Sequence, residues 1–226
     1  MRKLLIIIVL PIIFSSVSFS QNYYGNYKSG PNFFGGIVLG YNGGFGSQIN
    51  ATISHFQNRF PLSIRIGLGI TTLDPGNSGA ARRIFINNAT NGTPEESGLI
   101  WDLRLDLLFP VAFISNSFVY FGPRYSMFTG NFKFVGGNED FDVTSDQFGL
   151  GGGIETHFPV ISNLSLIFSG GAEYFFNNTL IGHDTSYSPD GDDVNPREDY
   201  SYTDADDAIN QPKILGRIML GINYAF

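Results

Sequence analysis

The 226-residue sequence contains no cysteine. That excludes disulfide frameworks, thiolate metal sites and cysteine nucleophiles. It is also poor in charge, since Asp, Glu, Lys and Arg make up only 15% of it. After the first twenty residues it lacks any apolar run approaching the roughly 18 residues a membrane-spanning helix requires, so none is expected. Basic surplus is missing too: the formal net charge is −7, which argues against nucleic acid as a partner. What remains is unusually rich in aromatics (15%) and in glycine (28 residues), a composition that favours β-structure over helix.

The N-terminus has a recognisable grammar. "MRK" is a short basic start, Leu4 to Phe14 is apolar, and Ser18 to Ser20 supplies small residues before a cleavage point. This predicts a secretory signal peptide over residues 1–20. A Tyr/Asn/Gly-rich leader follows over residues 21–32, and one domain is expected over residues 33–226. The acidity is local. Between Asp184 and Asp207 lie nine acids and a single base, Arg197.

The rest reads as eight strands. They are placed at about Gly35–Asn42, Ser47–Gln57, Leu62–Leu73, Leu99–Val111, Phe118–Phe134, Gln147–Val160, Leu164–Leu180 and Lys213–Phe226. Even-numbered strands end in tight turns such as "NRFP", "ISNS" and "ISN". Odd-numbered ones, after the first, end in long polar connections. One end of the molecule is trimmed and the other decorated. The predicted fold is an all-β, eight-stranded antiparallel up-and-down transmembrane β-barrel.

The strands alternate with period two. In "LIWDLRLDLLF", Trp101, Leu103, Leu105, Leu107 and Phe109 share one face, while Asp102, Arg104 and Asp106 share the other. The last strand sets Ile214, Ile218, Leu220, Ile222, Tyr224 and Phe226 against Lys213, Arg217 and Asn223. Collected over strands three to eight, the polar face carries Arg65, Arg104, Arg124, Lys213 and Arg217 against Asp102, Asp106, Glu155 and Glu173. Near-cancelling charge with glycine between suits a confined lumen in which charges find partners, with the oily face toward hydrocarbon. Aromatics gather toward both ends of the strands. Phe56, Phe60, Phe109, Phe158, Tyr224 and Phe226 lie at the short-turn end; Tyr41, Phe45, Trp101, Phe148, Tyr174 and Phe176 lie at the long-loop end.

In its strand and turn alternation, in "DQFGLGGGIETHFPVISNLSLIFSGGAEYFF" (Asp146 to Phe176) and in a last strand ending on Phe226, the chain resembles a known family. This is the small eight-stranded outer-membrane β-barrels of Gram-negative bacteria, of the OmpA-membrane-domain, OmpX and opacity-protein type. The resemblance implies a bacterial outer-membrane location. It also implies Tyr224 and Phe226 as the signal read by the barrel-assembly machinery, and contact with outer-membrane lipids and lipopolysaccharide. A monomer is expected.

Three constellations could carry chemistry. The nine lumen charges form either an ion-paired plug or a gated narrow pore. Asp190, Asp192 and Asp193 around Gly191 are candidate divalent-cation ligands, although the distal Glu of an EF-hand is missing. His183–Asp184 stands at the long-loop mouth with Ser186 and Ser188 nearby, where a hydrolase would place its groups. His157, two residues from Glu155, reads as a hydrogen-bonded filler. "GLGGGIE" lies mid-strand with no helix after it and reads as space-filling glycine, not a nucleotide loop. No resident cofactor or metal is expected. The leading expectation is a non-enzymatic barrel acting structurally or through its external loops. A narrow channel or hydrophobic-solute port, and a mouth-located hydrolase, are the alternatives.

Overall fold

In a computed structural model, residues 31–55, 62–86 and 91–226 are described. The expected signal peptide and all but the end of the leader lie outside them, as do Phe56 and Phe60. Among the described residues ten strands form, of which eight close the barrel: β1 (Asn32–Asn42), β2 (Phe45–Ser54), β3 (Ser63–Leu73), β4 (Thr93–Pro110), β5 (Ser117–Val135), β6 (Asp140–Ile161), β7 (Leu164–Phe175) and β10 (Ile214–Ala225). Each pairs antiparallel with the next, and β10 returns to β1 through the register Phe34↔Ala225 to Asn42↔Arg217. Closure leaves no edge along the barrel wall. The two remaining strands are short pieces, β8 (Leu180–Ile181) and β9 (Ser186–Tyr187), laid on the upper part of β6.

The alternation seen in the sequence becomes an inside and an outside. Ile37, Leu39, Ile49, Ile66, Leu103, Leu105, Leu150, Leu166, Ile218, Leu220 and Ile222 are exposed on the outer wall, a band only hydrocarbon would accept. Phe33, Phe158, Tyr224 and Phe226 rim it at the short-turn end, and Tyr41, Phe45, Trp101, Phe148, Tyr174 and Phe176 at the other.

Strands β4, β5 and β6, at 18, 19 and 22 residues, run well beyond the 9–11 a bilayer needs. Their upper halves project past the mouth, where the inward side chains change character. On β5, Arg124 and Ser126 are followed inward by Phe128, Phe132 and Phe134; on β6, Gln147 and Ser145 give way to Val143 and Phe141. Two helices close over this apolar surface. The first, α1 (Ser78–Phe85), is capped by Asn77, whose side-chain oxygen accepts from the Ala80 amide. The second, α2 (Tyr202–Ala208), starts on a capping box in which Ser201 and Asp204 satisfy each other's backbone amides.

The result is a second hydrophobic core above the lumen. Ala81, Ile84, Phe85, Phe128, Phe132, Phe141, Leu180, Tyr187, Ala205 and Ile209 all join it. The acidic segment, expected from sequence as one of the long polar connections, is therefore a folded cap, with acids on its outer surface and apolar groups beneath. Its two halves are stitched together: the Asn77 amide donates to the Ala208 carbonyl at 2.8 Å and the Asn210 amide to Pro75 at 2.9 Å. Tyr187 Oη reaches the Ile84 carbonyl at 3.2 Å, and Arg82 pairs with Glu139 while lying 4.7 Å over the Phe134 ring.

Candidate functional site

Of the nine charged residues placed inside by sequence, eight line the lumen. Lys213 does not. It stands before β10 begins, and its Nζ binds Asp206 of α2 at 2.9 Å, outside the network. The parity argument overreached there because the last strand starts at Ile214, so position 213 belongs to the cap. Removing Lys213 from the count leaves four cations and four anions.

These eight are held by strands at matched heights. Arg65 on β3 grips Glu155 on β6 through two bonds of 2.5 Å across the barrel, and its Nε donates to Thr52 at 3.2 Å. Glu155 also takes His157 Nε2 at 2.7 Å. Arg104 on β4 reaches Glu173 (2.9 Å), Asp106 (3.2 Å) and Gln48 Oε1 (2.7 Å). Arg124 on β5 reaches Asp106 (2.7 Å) and the same Glu173 oxygen (3.1 Å), and donates to the carbonyls of Gly122 and Pro123. Arg217 on β10 binds no carboxylate among the described residues; its Nη2 donates to Gln48 Oε1 at 2.5 Å. Asp102, 2% exposed, makes no ion pair within the network and its Oδ1 has no hydrogen-bond partner.

Glycine makes room for these long side chains to lie flat. A Cβ at Gly151 would stand 2.7 Å from Arg124 Nε, and one at Gly67 would stand 2.8 Å from both Arg104 Cγ and Gln48 Nε2. Within the "GLGGGIE" run, Gly151 is thus the wall against which Arg124 is laid, and Gly153 leaves room for the Tyr120 hydroxyl. Apolar groups stop both ends of the ionic layer. Leu108, Phe118 and Tyr120 form one cluster toward the short-turn end, Val38, Ile167 and Met219 another within the barrel, and the cap core seals the top. The void among Gln48, Arg65, Arg104, Asp106, Glu155 and Arg217 measures about 10 Å³, no more than one water's worth.

Gln48 escaped the sequence reading. It carries no charge, yet its one carbonyl oxygen joins Arg104 to Arg217; its parity on β2 with Gly46 and Asn50 was the available signal. The cap core was missed as well. Its signal was apolar residues continuing on the polar parity of the fifth and sixth strands.

The loop candidates do not assemble. Asp190 Oδ1 accepts from Ser188 Oγ at 2.5 Å and Asp193 Oδ1 from the Ser188 amide at 2.7 Å, so both carboxylates serve the loop's own turn. The Ser188 hydroxyl holds the Asp190 carboxyl below its ordinary range. Asp192 is exposed. Among the described residues no group of three or more His, Asp or Glu is arranged to hold a metal ion. Among the described residues no hydrogen bond joins His183 to Ser186 or Ser188, and Ser188 bonds Asp190 and Thr179 of its own segment. Tyr224 and Phe226 stand together on the outer wall with rings 5.1 Å apart, edge to face.

No family model matches the chain, and no curated protein does. Solved structures do. A major outer membrane protein from Thermus thermophilus superposes with a TM-score of 0.68 at 26% identity, over 87% of this chain and 99% of that one. Neisserial surface protein A (14% identity, 88% and 98% covered) and Ail, the attachment invasion locus protein of Yersinia pestis, solved with a heparin analogue (13%, 87% and 97%), match at TM-scores of 0.43. No residue role is carried across from them.

Proposed function

We propose that this chain, a small eight-stranded β-barrel of the bacterial outer membrane, is a non-conducting envelope protein that acts structurally and through its folded external cap. The observation that carries the reading is the double seal: a charge-balanced layer in the lumen with a void of about 10 Å³, and a hydrophobic core closing the mouth above it. Opening a water path would have to separate buried ion pairs and unpack that core together. Leaving one such buried charge without its partner costs on the order of 3–5 kcal/mol. The cap then offers the surroundings an ordered, acid-rich surface in place of a mobile loop, and no part of this role calls for a catalytic group. Tyr224 and Phe226, exposed at the end of the last strand, are the elements assigned to recognition during assembly.

Planar-bilayer recording of the purified full chain tests it. The expected result is a baseline without unitary steps. Steady single-channel conductance at low voltage would refute the sealed-barrel reading in favour of a narrow channel.

A further inference from the structure

The lower lumen is filled on one side only. Leu108, Phe118 and Tyr120 pack it against β4 and β5. On the other side β1, β10 and β7 turn small or short residues inward, with Gly36, Asn223 and Ser165 standing in one paired row. They leave a vestibule of about 380 Å³, within the size range of small-molecule sites, that opens on the short-turn face. Its rim is the connection from β6 to β7, where Val160 and Ile161 are exposed. Inward it is a dead end, because the Arg65–Glu155 pair and the packed ionic layer lie above it.

Two side chains at least nine-tenths buried reach this space with polar atoms left over. Asn223 is 9% exposed, and its carboxamide makes no hydrogen bond among the described residues. Gly36 makes room for it, since a Cβ there would stand 3.1 Å from Asn223 Oδ1. His157 is 5% exposed; its Nε2 is committed to Glu155 at 2.7 Å, while its Nδ1 has no partner among the described residues. Neither the Asn223 amide nor His157 Nδ1 is sealed off, in contrast to orphaned atoms of the lumen such as Asp102 Oδ1. The Glu155 acceptor draws the ring proton to Nε2, so Nδ1 of the neutral ring is an acceptor. Ser165, half-buried beside them, adds a hydroxyl.

This lining discriminates among ligands. None of the described residues that form it is charged, so an ionic group would be buried there without a partner, which is costly. A peptide meets the same obstacle: a dead end admits a chain by its terminus, and a terminus carries charge. A carboxamide, a hydroxyl and an imidazole beside the apolar Pro159 and Val160 suit a compact ring with hydroxyls on its edge and C–H groups on its face.

We propose that this vestibule binds an uncharged pyranose sugar. Its hydroxyls exchange bonds with the Asn223 carboxamide and the Ser165 hydroxyl and donate one to His157 Nδ1, and its C–H face lies against Pro159 and Val160.

The test titrates methyl β-glucopyranoside into the isotope-labelled full chain in micelles of a polyoxyethylene detergent, which brings no sugar of its own, and follows amide NMR shifts. Expected are saturable shifts at His157, Ser165 and Asn223 and over residues 160–163, with the Asn223 side-chain amide among them and the cap unaffected. The methyl glucuronide, which carries a carboxylate, and the capped tripeptide acetyl-Gly-Val-Gly-amide should each bind at least about tenfold more weakly. Cellobiose matching the glucoside would assign the site to the end of a glycan, and a tenfold loss to the free sugar. Asn223→Leu, whose barrel amides report that it is folded, should also lose about tenfold, the value of one to two hydrogen bonds; Ser165→Ala, a smaller change, gives the second variant. No saturable shift at the vestibule, equal titration by the glucuronide or the tripeptide, or unchanged affinity in both variants would each overturn the proposal.

Discussion

Glu155→Gln is the most informative single change in the lumen. The carboxylate holds Arg65 through two bonds of 2.5 Å and receives His157 at 2.7 Å, with side-chain exposures of 8% for Arg65 and 1% for Glu155. Arg65 has no second carboxylate in bonding distance, and Thr52 supplies its only other side-chain hydrogen bond among the described residues. The amide keeps the volume and one acceptor but leaves a guanidinium uncompensated inside a closed wall. Removing one partner of such a pair costs about 3–5 kcal/mol, against about 0–1 for an exposed one. Removing both, in Arg65→Met/Glu155→Met, eliminates the stranded charge. That double variant should be less than half as destabilised as the single one, giving a large coupling energy. Urea unfolding in lipid vesicles, followed by the fluorescence of Trp101, reads both; it is the sole tryptophan and faces the outer girdle. A single variant within about 1 kcal/mol of the parent would place this pair among solvated bridges and refute the argument.

Two further outcomes follow from particular contacts. Gly151→Val should destabilise by about 1–3 kcal/mol, because its Cβ meets Arg124 at 2.7 Å, whereas Gly216→Ala, with open space around it, should stay within about 0.5 kcal/mol; equal effects in unfolding measurements would deny glycine its role as room for the arginine. Phe132→Ala, fully buried and stacked 5.5 Å from Phe141, should cost the cap about 3–5 kcal/mol, so limited proteolysis should cut residues 176–213 while the barrel keeps its heat-modifiable gel mobility; unchanged protection would mean that this core does not hold the cap.

The barrel was legible because a lipid-facing strand writes its environment into every second residue. Leu103, Leu105 and Leu107 against Asp102, Arg104 and Asp106 admit one period and one closed topology. Orientation followed from the near balance of charge, which an open polar face would not need. What period two does not encode is where a strand leaves the membrane. On β5 the inward parity runs unbroken from Arg124 to Phe134, although its partners change from ionic groups to a hydrophobic cap. For the same reason Lys213 shares the parity of Arg217 yet pairs with α2, since alternation says nothing about height along the axis. The cap itself was hidden by composition. Its buried Leu180, Tyr187, Ala205 and Ile209 are spaced among nine acids and belong to no single amphipathic stripe. Only their meeting with α1 and the tall strands makes them a core. The Asn77 and Ser201 caps were readable signals of the two short helices, but segments of eight and seven residues carry too little periodicity to stand out.

The absence of cysteine permits one direct measurement of sidedness. Single cysteines introduced at Leu103, Leu105, Leu220 and Ser126 can each carry a nitroxide, in protein reconstituted into vesicles, and be probed by collision with oxygen, which partitions into lipid, and with a water-soluble nickel chelate. Labels at 103, 105 and 220 should be relaxed by oxygen and ignored by nickel, and the label at 126 should be reached by neither. Nickel access at 105 or 220 as strong as in open solution would turn the barrel inside out and contradict the account.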